Sequence, residues 1–481
     1  MKIPRLIIWL ASVFAASTLL AADPTDEGVA LTIYNQNFGV VRERRKVNVE
    51  EKAGMVRFTD VASQIDGTSV QFKSITDPDA TILEQNYEYD LVSADKLLEK
   101  YIDKQIEVLT KDGSHYRGTL QSFDGNQLVI RRADEKGGGI VMVQRGDNVK
   151  DIQFGALPEG LITKPTLVWK LATEKLGEQL IEVAYQTGGI NWQADYNAVL
   201  NANDSALDLG GWVTINNQSG TTYKDAKLKL IAGDVRRLQP PMLQGAVGGY
   251  RAMGMAKEAA GFEEKSFFEY HLYTLGRPST VAQNQTKQIE LLKTADVPVK
   301  KVFLYDGAPQ FRFYGGLNSD ASYGSEEGNK KVNVIIEVKN SKDNHMGMAL
   351  PKGKVRLYKR DEADGSLEFI GEDQIDHTPK DETIKLHIGD AFDIVGERKR
   401  TNFTIDVNAH VITESFEIHV RNHKAEPVDV LVKETLYRWS NWEIIESNQK
   451  WTKYDSSTIH FPIHVDKDGE QVITYTVRYT W

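Results

Sequence analysis

The chain has 481 residues, with 58 Lys and Arg against 68 Asp and Glu, a formal net charge of -10, and no cysteine. A mildly acidic chain is a poor general binder of nucleic acid or anionic lipid. The absence of cysteine removes thiol nucleophiles, thiolate metal sites and disulfide staples together. Its domains, about three at this length, must therefore hold by core burial alone.

The N-terminus reads as a secretory signal peptide over residues 1–22. Lys2 and Arg5 supply the positive flank, Leu6 to Leu20 the short apolar run, and Ala21-Ala22 the small-residue exit before Asp23-Pro24. That order is the signature of an exported chain, and the run falls short of the roughly 20 apolar residues of a membrane span. Cleavage is expected after Ala21 or Ala22. Removing Lys2 and Arg5 and no acids leaves the mature chain more acidic than -10. No later segment is apolar enough to span a membrane, so the expectation is a periplasmic or secreted protein.

Strand signals follow at once. Ala30–Tyr34, Val47–Val49, Val56–Phe58 and Val70–Phe72 show alternation or β-branched content, separated by turns such as Asn35-Gln36-Asn37 and Asp66-Gly67. Short strands at this spacing predict an antiparallel sandwich over 23–92.

The segment 93–156 differs. Ser93 is placed to cap a short helix through Tyr101-Ile102. Five strands are then predicted at Gln105–Thr110, His115–Phe123, Gln127–Arg132, Gly139–Gln144 and Val149–Phe154. One helix followed by five short strands with tight turns predicts a small closed barrel.

The order and motifs of this segment resemble the Sm-like barrel family. Gly118-Thr119-Leu120, Phe123-Asp124-Gly125-Asn126 and Leu128-Val129-Ile130 look like its first motif; Val143-Gln144-Arg145-Gly146-Asp147-Asn148-Val149 looks like its second. The resemblance implies a uridine-rich RNA site at Asp124, Asn126, Arg145 and Gly146. Arg145 would stack on or bond a planar ring, and Asn126 would read its edge. The Asp124–Asn126 turn is shorter than the family's, so its base-stacking residue has no counterpart here. Export also removes the usual RNA partner. Nucleic acid is therefore set aside in favour of protein binding or self-association through open strand edges.

Beyond the barrel, strands are predicted at Leu167–Leu171, Leu180–Tyr185, Tyr196–Leu200, Gly211–Asn216 and Ala226–Ala232, a β domain over 157–235 continuing the N-terminal one. Residues 236–265, with Pro240-Pro241, Gly248-Gly249 and Met253-Gly254-Met255, hold no period and are expected to be a flexible linker. From 266 to 481 the pattern is again β, with strands at Val332–Val338, Lys354–Lys359, Phe369–Gly371, Thr383–Ile388, Phe416–Val420, Val428–Glu434, Thr458–Phe461 and Val472–Tyr479. Hairpin turns fall at Glu362–Gly365 and Asp466–Gly469. The expected architecture is mainly β: several antiparallel sandwiches, immunoglobulin-like at the C-terminus, with the small barrel among them.

Leu209-Gly210-Gly211-Trp212-Val213-Thr214-Ile215-Asn216-Asn217-Gln218-Ser219-Gly220 and Leu350-Pro351-Lys352-Gly353-Lys354-Val355-Arg356-Leu357-Tyr358, with the closing Tyr475-Thr476-Val477, resemble exported bacterial proteins of unknown function related to the mucoidy inhibitor A family. These motifs are structural, so the resemblance implies a β-rich domain and no particular chemistry.

Catalytic patterns are missing from the sequence. The ten histidines are scattered without a ligand spacing, no nucleophile elbow or phosphate loop occurs, and Asp466–Glu470 lacks the distal acid of a calcium loop. No cofactor and no metal is expected. One aromatic stretch, Tyr437, Trp439, Trp442, Trp451 and Tyr454, offers Trp439 and Trp442 as saccharide-stacking candidates, against the plainer role of core and hairpin packing. The leading expectation is a non-enzymatic envelope protein acting as a protein-binding or assembly module. The alternatives are a polysaccharide-binding protein and a hydrolase whose site assembles only in the fold.

Overall fold

The computed structural model describes residues 27–90, 93–132, 139–155, 162–233, 235–236, 262–313, 315–325 and 328–481. The signal peptide expected over 1–22 lies outside them, as does most of the linker expected over 236–265. Among the described residues no helix is long and apolar enough to cross a membrane.

In chain order the chain forms β1 (Gly28–Tyr34), β2 (Phe38–Val49), β3 (Ala53–Thr59), β4 (Ile65–Ser74) and β5 (Thr81–Glu88). The helix α1 (Ala94–Lys100) precedes β6 (Gln105–Thr110), β7 (His115–Phe123), β8 (Gln127–Arg132), β9 (Ile140–Gln144) and β10 (Val149–Gln153). Then come β11 (Thr166–Ala172), β12 (Gly177–Gly188), β13 (Ile190–Leu200), β14 (Ala206–Asn217) and β15 (Tyr223–Ala232). They are followed by β16 (Phe262–Phe267), β17 (Tyr270–Leu275), β18 (Ser279–Val281), β19 (Gln285–Asp306), β20 (Lys331–Lys339), β21 (Gly353–Arg360) and β22 (Leu367–Ile375). The chain closes with β23 (Thr383–Asp406), β24 (Val411–Asn422), β25 (Val428–Thr435), β26 (Trp442–Ser447), β27 (Thr452–Lys453), β28 (Thr458–Val465) and β29 (Gly469–Thr480). The protein is thus mainly β, with several sheets.

The chain divides into two compact units. Of the described residues, the first takes those up to Ala30 and those within Val40–Thr187 and Tyr223–Ala226; the second takes those within Leu31–Gly39, Gly188–Thr222 and Lys227–Trp481.

In the first unit β11 lies between β3 and β5, antiparallel to both. Thr166, Leu167, Val168 and Trp169 are consecutive and all buried, the run expected of a strand covered on both faces. The Trp169 ring packs on Phe58 and Phe72, and its indole N–H donates to Gln85 Oε1 at 2.8 Å. The barrel is a separate five-stranded sheet in the order β10-β6-β7-β8-β9; the closure expected from sequence is not completed by strand pairing, since among the described residues β9 and β10 do not pair. Period-2 alternation turns Ile106, Val108, Leu120, Leu128, Ile130 and Val143 inward onto Leu98 and Tyr101 of the helical segment.

In the second unit, β13 pairs antiparallel with β14 and parallel with β21, and β22 forms the outer strand beyond β21. The C-terminal part takes the order β19-β20-β23-β24-β29-β26, while β25 pairs parallel with β19 and antiparallel with β28. In β24 every second residue from Ile412 to Asn422 is buried. This row meets those of β25, β28 and β29 in one core containing Phe416, Val430, Phe461 and Tyr475.

Two differences from expectation stand out. The linker expected up to residue 265 overlaps β16, because Phe262–Phe267 pairs with Tyr270–Leu275 through a tight turn with Phe268 at φ 56°. The strand expected over Thr383–Ile388 continues to Asp406, because Gly389 is accommodated as extended backbone in β23 rather than ending it.

Candidate functional site

The motif loops of the barrel are built around α1. Ser93 caps it, its hydroxyl accepting from the Lys96 N–H at 3.2 Å. This places Asp95 in the first turn, where a carboxylate also suits the helix dipole. Between β7 and β8, the Asp124 carboxylate accepts from the backbone N–H groups of Asn126 (2.7 Å) and Gln127 (2.8 Å), the local bonding that makes Asp a turn former. The Asn126 carbonyl in turn accepts the Arg145 N–H at 2.7 Å. Gly146, at φ 83°, opens a 3-10 turn over Gly146–Asn148.

The structure therefore brings Asp124, Asn126, Arg145 and Gly146 to one end of the barrel. It also shows what Arg145 does there. Its guanidinium donates to the Asp124 carbonyl at 2.7 Å and to Asp95 Oδ1 at 2.9 Å, and lies 5.8 Å from the centre of the Phe123 ring. The side chain is only 17% exposed. Those contacts clasp the two motif loops to the first turn of α1. Asp95 was not singled out from sequence. Its signal was an acid two residues after a capping serine, fifty residues from its partner.

A second feature is the edge of the same sheet. Among the described residues β9 pairs with β8 alone. Val143 points into the core, while Ile140 and Met142 stand 66% and 63% exposed on the opposite face. An outer strand with a solvent-facing apolar pair is a template for strand addition.

The aromatic stretch of the second unit is largely committed to packing. Trp439, Trp442 and Trp451 are half-buried against the C-terminal core. The Trp442 indole N–H donates to the Ser456 carbonyl at 2.8 Å, its ring meets Trp451 edge-on at 6.2 Å, and Lys453 Nζ lies 4.9 Å from its centre. Trp439 packs edge-on against Phe313. Tyr454 is exposed and stacks on His460 at 4.5 Å; burial pushes the His460 imidazole below its usual value.

Asp466–Glu470 forms the β28–β29 hairpin turn, closed by the Gly469 N–H on the Asp466 carbonyl at 3.1 Å. Among the described residues no three His, Asp or Glu side chains are grouped to hold a metal ion.

Fold and site together define a multi-domain β protein that carries a one-helix, five-stranded barrel and a large C-terminal β region. The chain belongs to the family of the domain of unknown function DUF4139, whose model matches residues 181–481. An LSM domain, the Sm-like barrel, is matched over residues 96–153. No curated protein matches the chain.

Proposed function

We propose that the protein is an exported, non-enzymatic component of the cell envelope that recruits another protein through its barrel. The observation that carries this reading is β9, with Ile140 and Met142 exposed on an outer strand. A partner strand added there gains main-chain hydrogen bonds and covers two apolar side chains, worth about 1.5–3 kcal/mol each when fully buried. Engagement of Arg145 within the barrel favours this over a nucleotide site at the motif loops. Export is supported by the order of charge, apolar run and small residues in 1–22. The stretches Leu209–Gly220 and Leu350–Tyr358 support a relationship to the mucoidy inhibitor A family.

The test is crosslinked affinity capture from the native envelope with the mature chain, beside a variant carrying Ile140→Lys and Met142→Lys. A partner held by the wild type and lost from an equally stable variant is expected. The same set captured by both, or nothing captured by either, would overturn the reading.

A further inference from the structure

The second unit contains a groove of about 650 Å³ at the N-terminal ends of the parallel pair β13 and β21. Its volume falls in the range of small-molecule sites, about 300–1,000 Å³, but such sites are usually lined by apolar side chains, whereas eleven of the fifteen residues lining this one are polar or charged.

The pattern follows from register. Asp195 stands opposite Lys354 across the parallel pair, and Arg356 opposite Glu372 across β21 and β22. Paired residues point to the same face of a sheet. Glu372 consequently receives Lys354 Nζ at 3.1 Å and Arg356 Nε at 3.5 Å, and Arg356 also reaches Asp195 at 3.9 Å. The other Asp195 oxygen accepts from Thr214 Oγ1 at 2.7 Å and Gln193 Nε2 at 3.3 Å. At one end His377 accepts the Lys352 N–H on Nδ1 at 3.1 Å, with Asn35 Nδ2 3.3 Å from its Nε2.

Three properties select a ligand class. The carboxylates Asp195, Glu372 and Asp373 are matched by the cations Lys352, Lys354 and Arg356, so the groove has no net charge with which to draw an anion or a cation. An apolar ligand would strip water from these groups without replacing it, at about 1–3 kcal/mol for each one left unpaired. And Trp212, half-buried, stands directly opposite Asp195 on the β14 side, beside the polar row.

We infer that this groove binds a neutral saccharide. Carboxylate, carboxamide and guanidinium groups offer paired acceptors and donors in a plane, which suits the vicinal hydroxyls of a sugar ring. Trp212, outside the lining but on the same sheet face next to the lining residue Asp195, offers an apolar surface for its C–H side. The groove lies in the second unit, so this inference goes beyond the barrel's proposed role and stands or falls separately.

The test uses the full mature chain with maltotriose, cellotriose and the N-acetylglucosamine trimer as probes, read by calorimetry and tryptophan fluorescence, with trigalacturonate as an anionic comparison. At least one neutral probe is expected to saturate, and adding salt should leave its affinity unchanged. Trp212→Ala and the exposed-site variant Lys354→Ala should each weaken it about tenfold while the melting temperature shows the chain folded. Trp442→Ala should bind as the wild type does. No saturable binding by the three neutral probes, binding confined to the anion, or loss through Trp442→Ala with Lys354→Ala unaffected would each overturn the assignment.

Discussion

Glu434 lies in the inward row of β25 with Val428, Val430 and Val432, yet it is only 1% exposed. What permits a carboxylate there is Arg398 on β23, 2% exposed, whose Nε meets both carboxylate oxygens at 3.0 and 2.9 Å. The Tyr475 hydroxyl donates to Glu434 Oε2 at 2.5 Å, and the guanidinium lies 4.1 Å from the Phe416 ring centre. Removing one member strands the other charge in the core. Glu434→Ala is expected to cost about 3–5 kcal/mol in denaturant unfolding, whereas replacing both Arg398 and Glu434 by apolar residues of similar volume should recover much of that loss. A single-variant cost near zero would mean the pair is solvated. A neighbouring group, Arg438 with Glu414 and Arg400, holds the carbonyls of Asn318, Ala321 and Tyr323 against the same C-terminal strands.

His419, on the outward row of β24, is governed by a different balance. The hydrogen bond that His419 donates to Glu417 raises its pKa first, burial opposes, and the bond and charge of Glu470 raise it further. A histidine held above its ordinary value of about 6.5 stabilises the fold fully below that pH, and the contribution fades as pH rises through the folded-state value. His419→Ala should therefore lower the melting temperature more at about pH 5.5 than at about pH 8.5. An equal loss at both would refute the imidazolium role.

At the scale of elements, the barrel depends on one close approach. A Cβ at Gly118 in β7 would lie 2.1 Å from the Arg131 carbonyl oxygen and 2.8 Å from Ile130 Cγ2. Backbone cannot move aside without opening the β7–β8 ladder, where Gly118 pairs with Arg132. Gly118→Ala should abolish amide-exchange protection across β7 and β8; preserved protection would show that the sheet can flex there. The barrel strands were legible in sequence nearly residue by residue because each is short, alternates cleanly, and ends at a Gly- or Asp-rich turn. The same reading missed β5, β16 to β19, β26 and β27. In β5 only part of the strand is covered, so Thr81–Glu88 reads as polar. In β19 the burial pattern slips at register shifts opposite Leu207 and Gly211, where bulges break the period that a strand reading relies on.

At the scale of the whole molecule, β19 and β23 run 22 and 24 residues, far beyond the usual five or six. Each changes partner along its length: β19 pairs first with β14 and then with β20, and β23 first with β20 and then with β24. Two long strands thereby carry one sheet through the second unit. The proposed export has a direct readout at this scale. Chain recovered from the envelope should have an intact mass beginning at Ala22 or Asp23; a mass retaining Met1 would contradict cleavage.

The class of the protein, the barrel's extent and the inward rows of the last strands follow from sequence alone, because side-chain alternation and turn chemistry are local. The motif-loop residues were also local, but their use was not: Arg145 meets Asp95 only once α1 docks on the barrel. The groove was invisible for the same reason. Asp195 is far along the chain from Lys354 and Glu372, and the three acquire meaning only when β13 aligns in register with β21 and β22. Pairing between distant strands is decided by tertiary packing, which no local pattern encodes.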